Sequence, residues 1–228
     1  MTQLHLPGIE ACVFDAYGTL FDVNSAARSL RDELGPRWQP LAELWRTKQL
    51  QYTWLRGLGG FHADLWTVTS DALSFAFDTL KIDAPDLHGR LMTLYLSLNV
   101  YPDVIDTLKQ LKSGGKRLAI LSNGTPEMLA SATAHSGIAG LLDAVLSVEE
   151  VGVFKPHPSV YQLASDRLQL APDRICFLSS NGWDACAAKA FGFHVIWCNR
   201  FNQSPERIPE APDGQITTLA ALPDIVVS

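Results

Sequence analysis

The chain has 228 residues, 47% of them hydrophobic, and 24 acidic against 18 basic side chains give it a formal net charge of −6. A chain of this length buries a core without disulfides or metals, and it forms either one domain with an insertion or two small domains. Its mild acidity argues against nucleic acid or an anionic membrane as the main partner.

Targeting and spanning patterns do not occur in the sequence. No run approaches the roughly 18 apolar residues that a membrane-spanning helix needs. Residues 1–10 have neither a basic region nor a long apolar stretch, the two parts of a secretory signal. We therefore predict a cytoplasmic protein. Its cysteines have no metal-binding spacing, and we expect buried, inert thiols rather than a redox site. They are Cys12, Cys176, Cys186 and Cys198.

Strands and helices are predicted to alternate along most of the chain. Short apolar runs without polar alternation are typical of strands covered on both faces. These runs are Ile9–Phe14, Arg117–Leu121, Ala144–Val148, Ile175–Leu178 and His194–Cys198. Between them, apolar residues recur at helical spacing from Val104 to Leu111, and Thr125–Pro126 starts a helix that ends near Gly137. The alternation predicts an α/β fold, a Rossmann-like, mainly parallel sheet flanked by helices. After Asn199 we expect mostly loop before a short final element.

One stretch breaks the alternation. Residues 23–98 contain no convincing strand but three helical patterns, which run from Pro40 to a stop at Gly57, from Leu65 to Leu80 and from Leu87 to Leu98. We predict that this block is an all-helical cap subdomain over the carboxyl edge of the sheet, where open α/β sheets bind ligands. Residues 1–22 and 99–228 then form the Rossmann-like catalytic core.

Polar clusters follow four of the predicted strands. Asp15 ends the first strand just before a glycine turn, and a carboxylate in that place can act as a nucleophile. Ser122-Asn123-Gly124 ends the second strand, Lys155-Pro156 follows the third, and Ser179 to Asp184 end the fourth. Each cluster alone has a plain structural explanation, such as a turn cap for Asp15 or a helix first-turn acid for Asp184. Their order favours one shared catalytic pocket.

This ordered set resembles the haloacid dehalogenase superfamily, which consists largely of magnesium-dependent phosphatases. Those phosphatases typically carry a second Asp two residues after the nucleophile and a metal-binding Asp in the fourth motif. Tyr17 and Ser180 stand at these positions here. Since Mg²⁺ prefers carboxylate ligands, and an ester oxygen needs a proton donor, the phosphatase interpretation fits poorly.

With Tyr17 and Ser180 at these positions, the chain resembles one subfamily, the L-2-haloacid dehalogenases, over nearly its whole length. The long string Leu44–Arg56 adds to the four strand-end motifs. The resemblance implies a hydrolase without cofactor or metal, whose ligands are a small halogenated carboxylic acid and a halide ion. Asp15 would displace halide from C2 of an L-2-haloacid, and water would hydrolyse the aspartyl ester to a D-2-hydroxyacid. It also implies a homodimer, and activity on fluoroacetate is an open alternative.

The resemblance also implies roles for named residues. Lys155 would keep Asp15 ionised, Asp184 would activate water, and Arg46 would receive the halide. The implied catalytic set is Asp15, Thr19, Arg46, Ser122, Lys155, Tyr161, Ser179, Asn181 and Asp184. The implied substrate contacts are Ala16, Tyr17, Arg46, Leu50, Leu65, Ser122, Asn123 and Trp183.

Two alternatives stay open. One is a metal-dependent phosphatase of the same superfamily with a relocated metal site, which magnesium-dependent turnover would reveal. The other is a non-catalytic carboxylate binder, although an anion binder gains nothing from two carboxylates buried beside its ligand.

Overall fold

The computed structural model describes residues 4–226. In this part of the chain, one sheet has the strand order β3-β2-β1-β4-β5-β6, with every neighbouring pair parallel. The strands are β1 Ala11–Phe14, β2 Arg117–Ser122, β3 Ala144–Ser147, β4 Ile175–Ser179, β5 His194–Cys198 and β6 Gly214–Ile216. The strand order reverses between β1 and β4, and such a reversal opens a crevice at the carboxyl edge of the sheet. The predicted α/β fold with a Rossmann-like parallel sheet is confirmed.

The two central strands of the sheet are completely buried. All residues of β1 and β4 are buried, as expected for strands covered by helices on both faces. The five predicted strands occur within two residues of their expected bounds. The stretch after Asn199 is mostly loop before a short final helix, as expected, but it also contains β6, whose three residues are too few for a recognisable pattern.

Helices cover the sheet between its strands. They are α6 Val104–Ser113, α7 Pro126–His135, α8 Pro158–Leu168, α9 Gly182–Phe191 and α10 Leu222–Val226. The predicted start of α7 is confirmed, since the Thr125 hydroxyl accepts a hydrogen bond of 3.1 Å from the Met128 N–H. This cap fixes the chain direction directly after the polar end of β2.

Residues 23–98 are helical and contain no strand. Their helices are α1 Ser25–Ser29, α2 Arg31–Leu34, α3 Trp38–Gly59, α4 Leu65–Leu80 and α5 Pro85–Tyr95. The expected stop at Gly57 was wrong. Helix α3 continues to Gly59 and is capped by Gly60. The φ of Gly60 is +71°, a left-handed conformation that glycine adopts without steric cost. The third predicted helix ends at Tyr95 rather than at Leu98. Helices α1 and α2 were too short to be predicted.

Helices α3 and α4 pack on each other through buried polar bonds as well as apolar contacts. The Trp45 indole N–H donates to the Thr69 carbonyl at 2.8 Å, and the Gln49 amide donates to the Thr69 hydroxyl at 2.6 Å. A buried polar group that keeps its partners holds a helix pair in one register. This register sets which face of α3 is turned toward the sheet.

Within residues 4–226, the helices are either too short or too polar to cross a bilayer.

The four cysteines are buried and free, and burial raises the pKa of the Cys12 thiol to about 12. Thiols in this environment are unreactive, as the apolar runs predicted.

Candidate active site

Asp15 lies one residue beyond β1, at the carboxyl edge of the sheet. Its N–H donates to the Leu178 carbonyl at 2.8 Å, which extends the β1–β4 pairing up to the functional side chain. The chain then turns at Gly18, where φ is +94°. A Cβ there would meet the Ser180 hydroxyl at 3.3 Å, a tight contact, and the positive φ favours glycine. The turn leaves the Asp15 carboxylate facing the crevice.

Three side chains donate hydrogen bonds to the Asp15 carboxylate, which is 7% exposed. The Lys155 ammonium donates to Oδ1 at 3.1 Å. Oδ2 accepts from the Thr19 hydroxyl at 3.0 Å and from the Asn181 amide at 3.1 Å. The two oxygens therefore differ, because Oδ1 has one donor and Oδ2 has two.

Lys155 joins Asp15 to a second carboxylate. Its ammonium also donates to Asp184 Oδ2 at 2.9 Å and lies 4.9 Å from the centre of the Phe177 ring. Burial alone would favour the neutral amine, but the charges of both carboxylates and the hydrogen bonds to them raise the pKa of Lys155 above its usual value. Lys155 is therefore a fixed cation.

Asp184 lies behind Lys155 and is completely buried. Its Oδ1 accepts a hydrogen bond of 2.7 Å from the Tyr161 hydroxyl. Burial raises the pKa of the Asp184 carboxyl, and the negative charge of Asp15 adds to this rise while Lys155 opposes it. Burial and the neighbouring Asp184 likewise raise the pKa of Tyr161 well above its usual value, so its hydroxyl remains a donor.

The segment after β4 is tied to the turn after β1. Thr19 Oγ1 accepts from the Ser180 N–H at 2.8 Å, and the two hydroxyls lie 3.2 Å apart. Ser179 Oγ accepts from the Asn181 N–H at 3.1 Å. Ser180 therefore holds Thr19 in place. Ser180 itself stands where the phosphatases of the superfamily carry a metal-binding Asp. No group of three or more His, Cys, Asp or Glu side chains suited to a metal ion occurs within the described residues.

Arg46 reaches this edge from helix α3. Its guanidinium donates to the Tyr17 carbonyl at 3.0 Å and to the Gln49 amide oxygen at 2.8 Å. A longer contact of 3.5 Å joins it to the amide oxygen of Asn181. That contact fits the orientation in which the Asn181 amide nitrogen faces Asp15.

A small cavity of about 20 Å³, which we call the catalytic cavity, lies between α3 and the sheet edge. It has room for about one water molecule. Ten residues predicted from the sequence line it: Asp15, Tyr17, Arg46, Leu50, Leu65, Ser122, Asn123, Lys155, Asn181 and Trp183. Five predicted residues lie outside the lining: Ala16, Thr19, Tyr161, Ser179 and Asp184. Thr19, Ser179 and Asp184 are hydrogen-bonded to lining residues. Ala16 lies between two lining residues in the chain.

Tyr17 has an unusual environment in this cavity. Its ring stacks on the Tyr95 ring at 5.5 Å between centres, and its hydroxyl has no hydrogen-bond partner among the described residues. Burial raises the pKa of Tyr17 well above its usual value, and Tyr95 and Asp15 add to this effect. The hydroxyl is therefore a buried donor beside the cavity.

Sequence analysis missed Gln49 and Thr53, which also line the catalytic cavity. Both are almost completely buried. The signal that identifies them is helical spacing, because they follow Arg46 by three and seven residues and so share its face of α3. It also missed Tyr95, whose hydroxyl bonds the Gln49 side chain.

Comparison with known proteins gives consistent matches over most of the chain. A family model of haloacid dehalogenase-like hydrolases matches residues 9–192. The (S)-2-haloacid dehalogenase 1 of Pseudomonas sp. (strain CBS-3) is 44% identical over 221 residues, which cover 96% of this chain and 97% of that protein. The (S)-2-haloacid dehalogenase 4A of Burkholderia cepacia is 46% identical over 199 residues, or 87% of this chain and 86% of that protein.

Solved structures agree with these matches. The structure of L-2-haloacid dehalogenase from Xanthobacter autotrophicus with chloropropionic acid covalently bound superposes with a TM-score of 0.88. It is 38% identical, and the match covers 95% of this chain and 97% of that one.

Proposed function

The chain belongs to the haloacid dehalogenase-like hydrolase family, and from this membership we propose that it hydrolyses L-2-haloacids to D-2-hydroxyacids and halide. The observation that carries the proposal is the environment of Asp15, a strand-end carboxylate with one oxygen held by Lys155 and the other by Thr19 and Asn181. This arrangement fixes a nucleophile beside a cavity that a guanidinium also reaches.

In the first step, Asp15 Oδ1 attacks C2 of the substrate in line with the carbon–halogen bond. We assign the attack to Oδ1 because Thr19 and Asn181 then stay bonded to Oδ2, the oxygen that becomes the ester carbonyl. The carbon–oxygen bond forms as the carbon–halogen bond breaks, the halide leaves with the electron pair, and the configuration at C2 inverts. Arg46 receives the halide, since its guanidinium is the cation on the α3 side of the catalytic cavity.

In the second step, water attacks the carboxyl carbon of the Asp15 ester. The carbonyl oxygen is then Oδ2, and negative charge develops on it. Thr19 and Asn181 lie at 3.0 and 3.1 Å from this oxygen, within the range of donors that stabilise such a charge. One proton of the attacking water ends on the hydroxyacid oxygen as it leaves, the other is released to solvent, and Asp15 is restored as a carboxylate.

Asp184 is our candidate for the group that takes the proton from water. Its raised pKa brings the carboxyl closer to the range in which a general base is effective. Each of its oxygens accepts one hydrogen bond, from Lys155 or from Tyr161, and keeps a second lone pair that can take the proton.

The remaining assignments concern substrate binding. We propose that the substrate carboxylate binds the Ser122 hydroxyl and the backbone N–H groups of Asn123 and Ala16. Leu50, Leu65 and Trp183 form the apolar wall against the C2 substituent, and all three line the catalytic cavity. Tyr161 and Ser179 orient Asp184 and Asn181, to which they are hydrogen-bonded.

We also propose that residues 23–98 act as a cap subdomain on a catalytic core of 1–22 and 99–228, and that the protein is a cytoplasmic homodimer. Exposed apolar side chains support a partner, among them Leu58, which is 89% exposed, and Phe61, which is 74% exposed. Buried free thiols are compatible with a reducing compartment. Light scattering tests the dimer, and cell fractionation tests the compartment.

The primary experiment measures halide release from L- and D-2-chloropropionate, and fluoride release from fluoroacetate, with excess chelator present. We expect turnover of the L-form that is insensitive to chelator. Fluoride release would extend the proposal to fluoroacetate. Turnover of a phosphate ester restored by magnesium, without halide release, would overturn the proposal in favour of the phosphatase alternative.

A single turnover in ¹⁸O-labelled water tests the ester. We expect the label in Asp15 and unlabelled oxygen in the hydroxyacid, because water attacks the carboxyl carbon rather than C2. The Asp15→Asn variant is the control, in which we expect neither halide release nor label in the protein. A noncatalytic carboxylate binder would bind the haloacid and release no halide.

A further inference from the structure

A second cavity of about 420 Å³, which we call the side cavity, adjoins the catalytic cavity. It lies between helix α3 and the segments after β3 and β4. Its lining is Thr53, Trp54, Gly57, Leu58, Val153, Phe154, Lys155, Pro156, His157, Trp183, Ala187 and Ile208. Thr53, Lys155 and Trp183 line both cavities, so the two cavities adjoin at these three residues.

The boundary between the two cavities is largely apolar. The Trp183 ring meets the Trp54 ring edge to face, with 5.3 Å between their centres. Lys155 contributes its carbon stem, because its ammonium is held by the two carboxylates on the far side. Trp183 is also part of the wall that we assigned to the C2 substituent of the substrate.

The side cavity is suited to an uncharged tail. It has no acidic or arginine side chain in its lining, and the ring nitrogen Nδ1 of His157 is engaged by the Ser159 hydroxyl at 2.8 Å. A carboxylate placed there meets no arginine, and the Lys155 ammonium is already held by two carboxylates, so a charged tail gains no strong partner. The side cavity, at about 420 Å³, is about twenty times as large as the catalytic cavity, at about 20 Å³.

We propose that the side cavity binds the alkyl tail of 2-haloalkanoates whose C2 substituent is longer than a methyl group. This inference rests on the proposed dehalogenase function and adds a preference for long, unbranched, apolar substituents. The tail passes Trp183 and lies against Trp54 and Phe154. Burial of each further methylene favours the transition state as well as the bound substrate, so kcat/KM rises about fourfold per methylene until the cavity is full.

The test is a chain-length series of L-2-bromoalkanoates from propionate to octanoate. We expect kcat/KM to rise from propionate to at least hexanoate. L-2-Chlorosuccinate against L-2-chlorobutanoate is the polar counterpart, and we expect the second carboxylate to lower kcat/KM at least tenfold because its charge is not accommodated.

Gly57→Leu fills the side cavity from α3. A Cβ at Gly57 meets nothing within 4 Å, so the helix accepts the larger side chain. We expect the ratio of kcat/KM for bromohexanoate to that for bromopropionate to fall at least tenfold. Gly89→Leu is the matched control, because Gly89 also lies in a helix with open space at its Cβ but lines neither cavity.

The outcomes separate this inference from the proposed function. Absence of halide release from every member of the series would reject the proposed function itself. Turnover of propionate with a flat or falling chain-length profile would overturn the side-cavity inference alone. The same holds if Gly57→Leu and Gly89→Leu have equal substrate ratios, and the wild-type series decides the matter even if the Gly57 variant does not fold.

Discussion

Arg46, on a helix inserted between β1 and β2, donates a hydrogen bond of 3.0 Å to the backbone carbonyl of Tyr17, two residues beyond Asp15. This bond ties the helical insertion to the turn after Asp15, the proposed nucleophile. Since Arg46 also contacts Asn181, one guanidinium connects three segments around the catalytic cavity. In the proposed mechanism, the position of α3 therefore decides whether Arg46 and Asp15 face the same substrate.

Gln49→Met tests how Arg46 is held. Gln49 is 1% exposed, and its amide oxygen accepts from the guanidinium at 2.8 Å. Methionine keeps the volume but removes this acceptor and the donor to Thr69, so we expect a loss of about 1–3 kcal/mol in the free energy of unfolding.

The diagnostic readout for Gln49→Met is the dependence on leaving group. If the guanidinium loses its orientation toward the halide, kcat falls more for chloropropionate than for bromopropionate, because chloride is the poorer leaving group. Gln51→Met on the same helix is the control, since within residues 4–226 the Gln51 amide oxygen bonds the Lys48 ammonium and no group of the catalytic cavity. Equal losses with both halides would show that Gln49 acts only through stability.

Asp184→Asn separates the two chemical steps. The amide keeps the shape of a side chain that is completely buried, but it takes no proton from water. We expect the Asp15 ester to form and accumulate, with steady-state turnover reduced by about 10²–10⁴-fold. Mass spectrometry of quenched enzyme measures the ester. A variant without detectable ester and with equally reduced turnover would place Asp184 in the first step instead.

Much of the scaffold, and ten of the residues that line the catalytic cavity, could be predicted because both follow from local sequence patterns. The buried strands are continuous apolar runs. Asp15 follows β1 directly, Asn181 comes two residues after β4, and Lys155 lies in the loop after β3. β6 and the short helices α1 and α2 contain too few residues for a periodic pattern. Gln49 and Thr53 carry no chemical signature, and only the packing of α3 on the sheet edge gives them a place in the cavity.

Tyr17→Phe is expected to raise stability and lower substrate affinity. The Tyr17 hydroxyl is buried without a partner among the described residues, so its removal should raise the free energy of unfolding by about 1 kcal/mol. If the hydroxyl donates to the substrate, KM for chloropropionate rises by about 2- to 12-fold. Urea unfolding and steady-state kinetics measure the two effects. Tyr52→Phe is the control, since Tyr52 lies outside the catalytic cavity.

The stability difference at Tyr17 should also depend on pH. Burial holds the pKa of Tyr17 in the folded protein well above its usual value, whereas an unfolded chain titrates near 10. The stability linked to the neutral phenol is fully present below the unfolded pKa and is lost as pH rises toward the folded one. Tyr17→Phe lacks this linkage, so its advantage over the wild type should widen above about pH 10. A constant difference from pH 8 to 11 would contradict this assignment.

Lys155→Met removes the cation between two carboxylates. Asp15 and Asp184 then remain buried without an opposite charge, and we expect a loss of about 3–5 kcal/mol in the free energy of unfolding. Addition of Asp184→Asn should restore part of this loss, because it removes one of the unpaired charges. Lys112→Met is the control, because its ion pair with Asp143 is exposed and should contribute less than about 1 kcal/mol.

The loss in Lys155→Met should shrink in acid. Burial already raises the pKa of Asp184 in the folded wild type, and removal of Lys155 takes away the main group that opposes the rise. A carboxyl whose folded pKa lies above its unfolded value stabilises the fold fully below the unfolded pKa, near 3.9, and that stability is lost as pH rises through the folded one. The variant should therefore lie closer to wild type at pH 5 than at pH 8 in urea unfolding. A loss that is the same at both pH values would show that Asp184 ionises in the folded variant as it does in the unfolded chain.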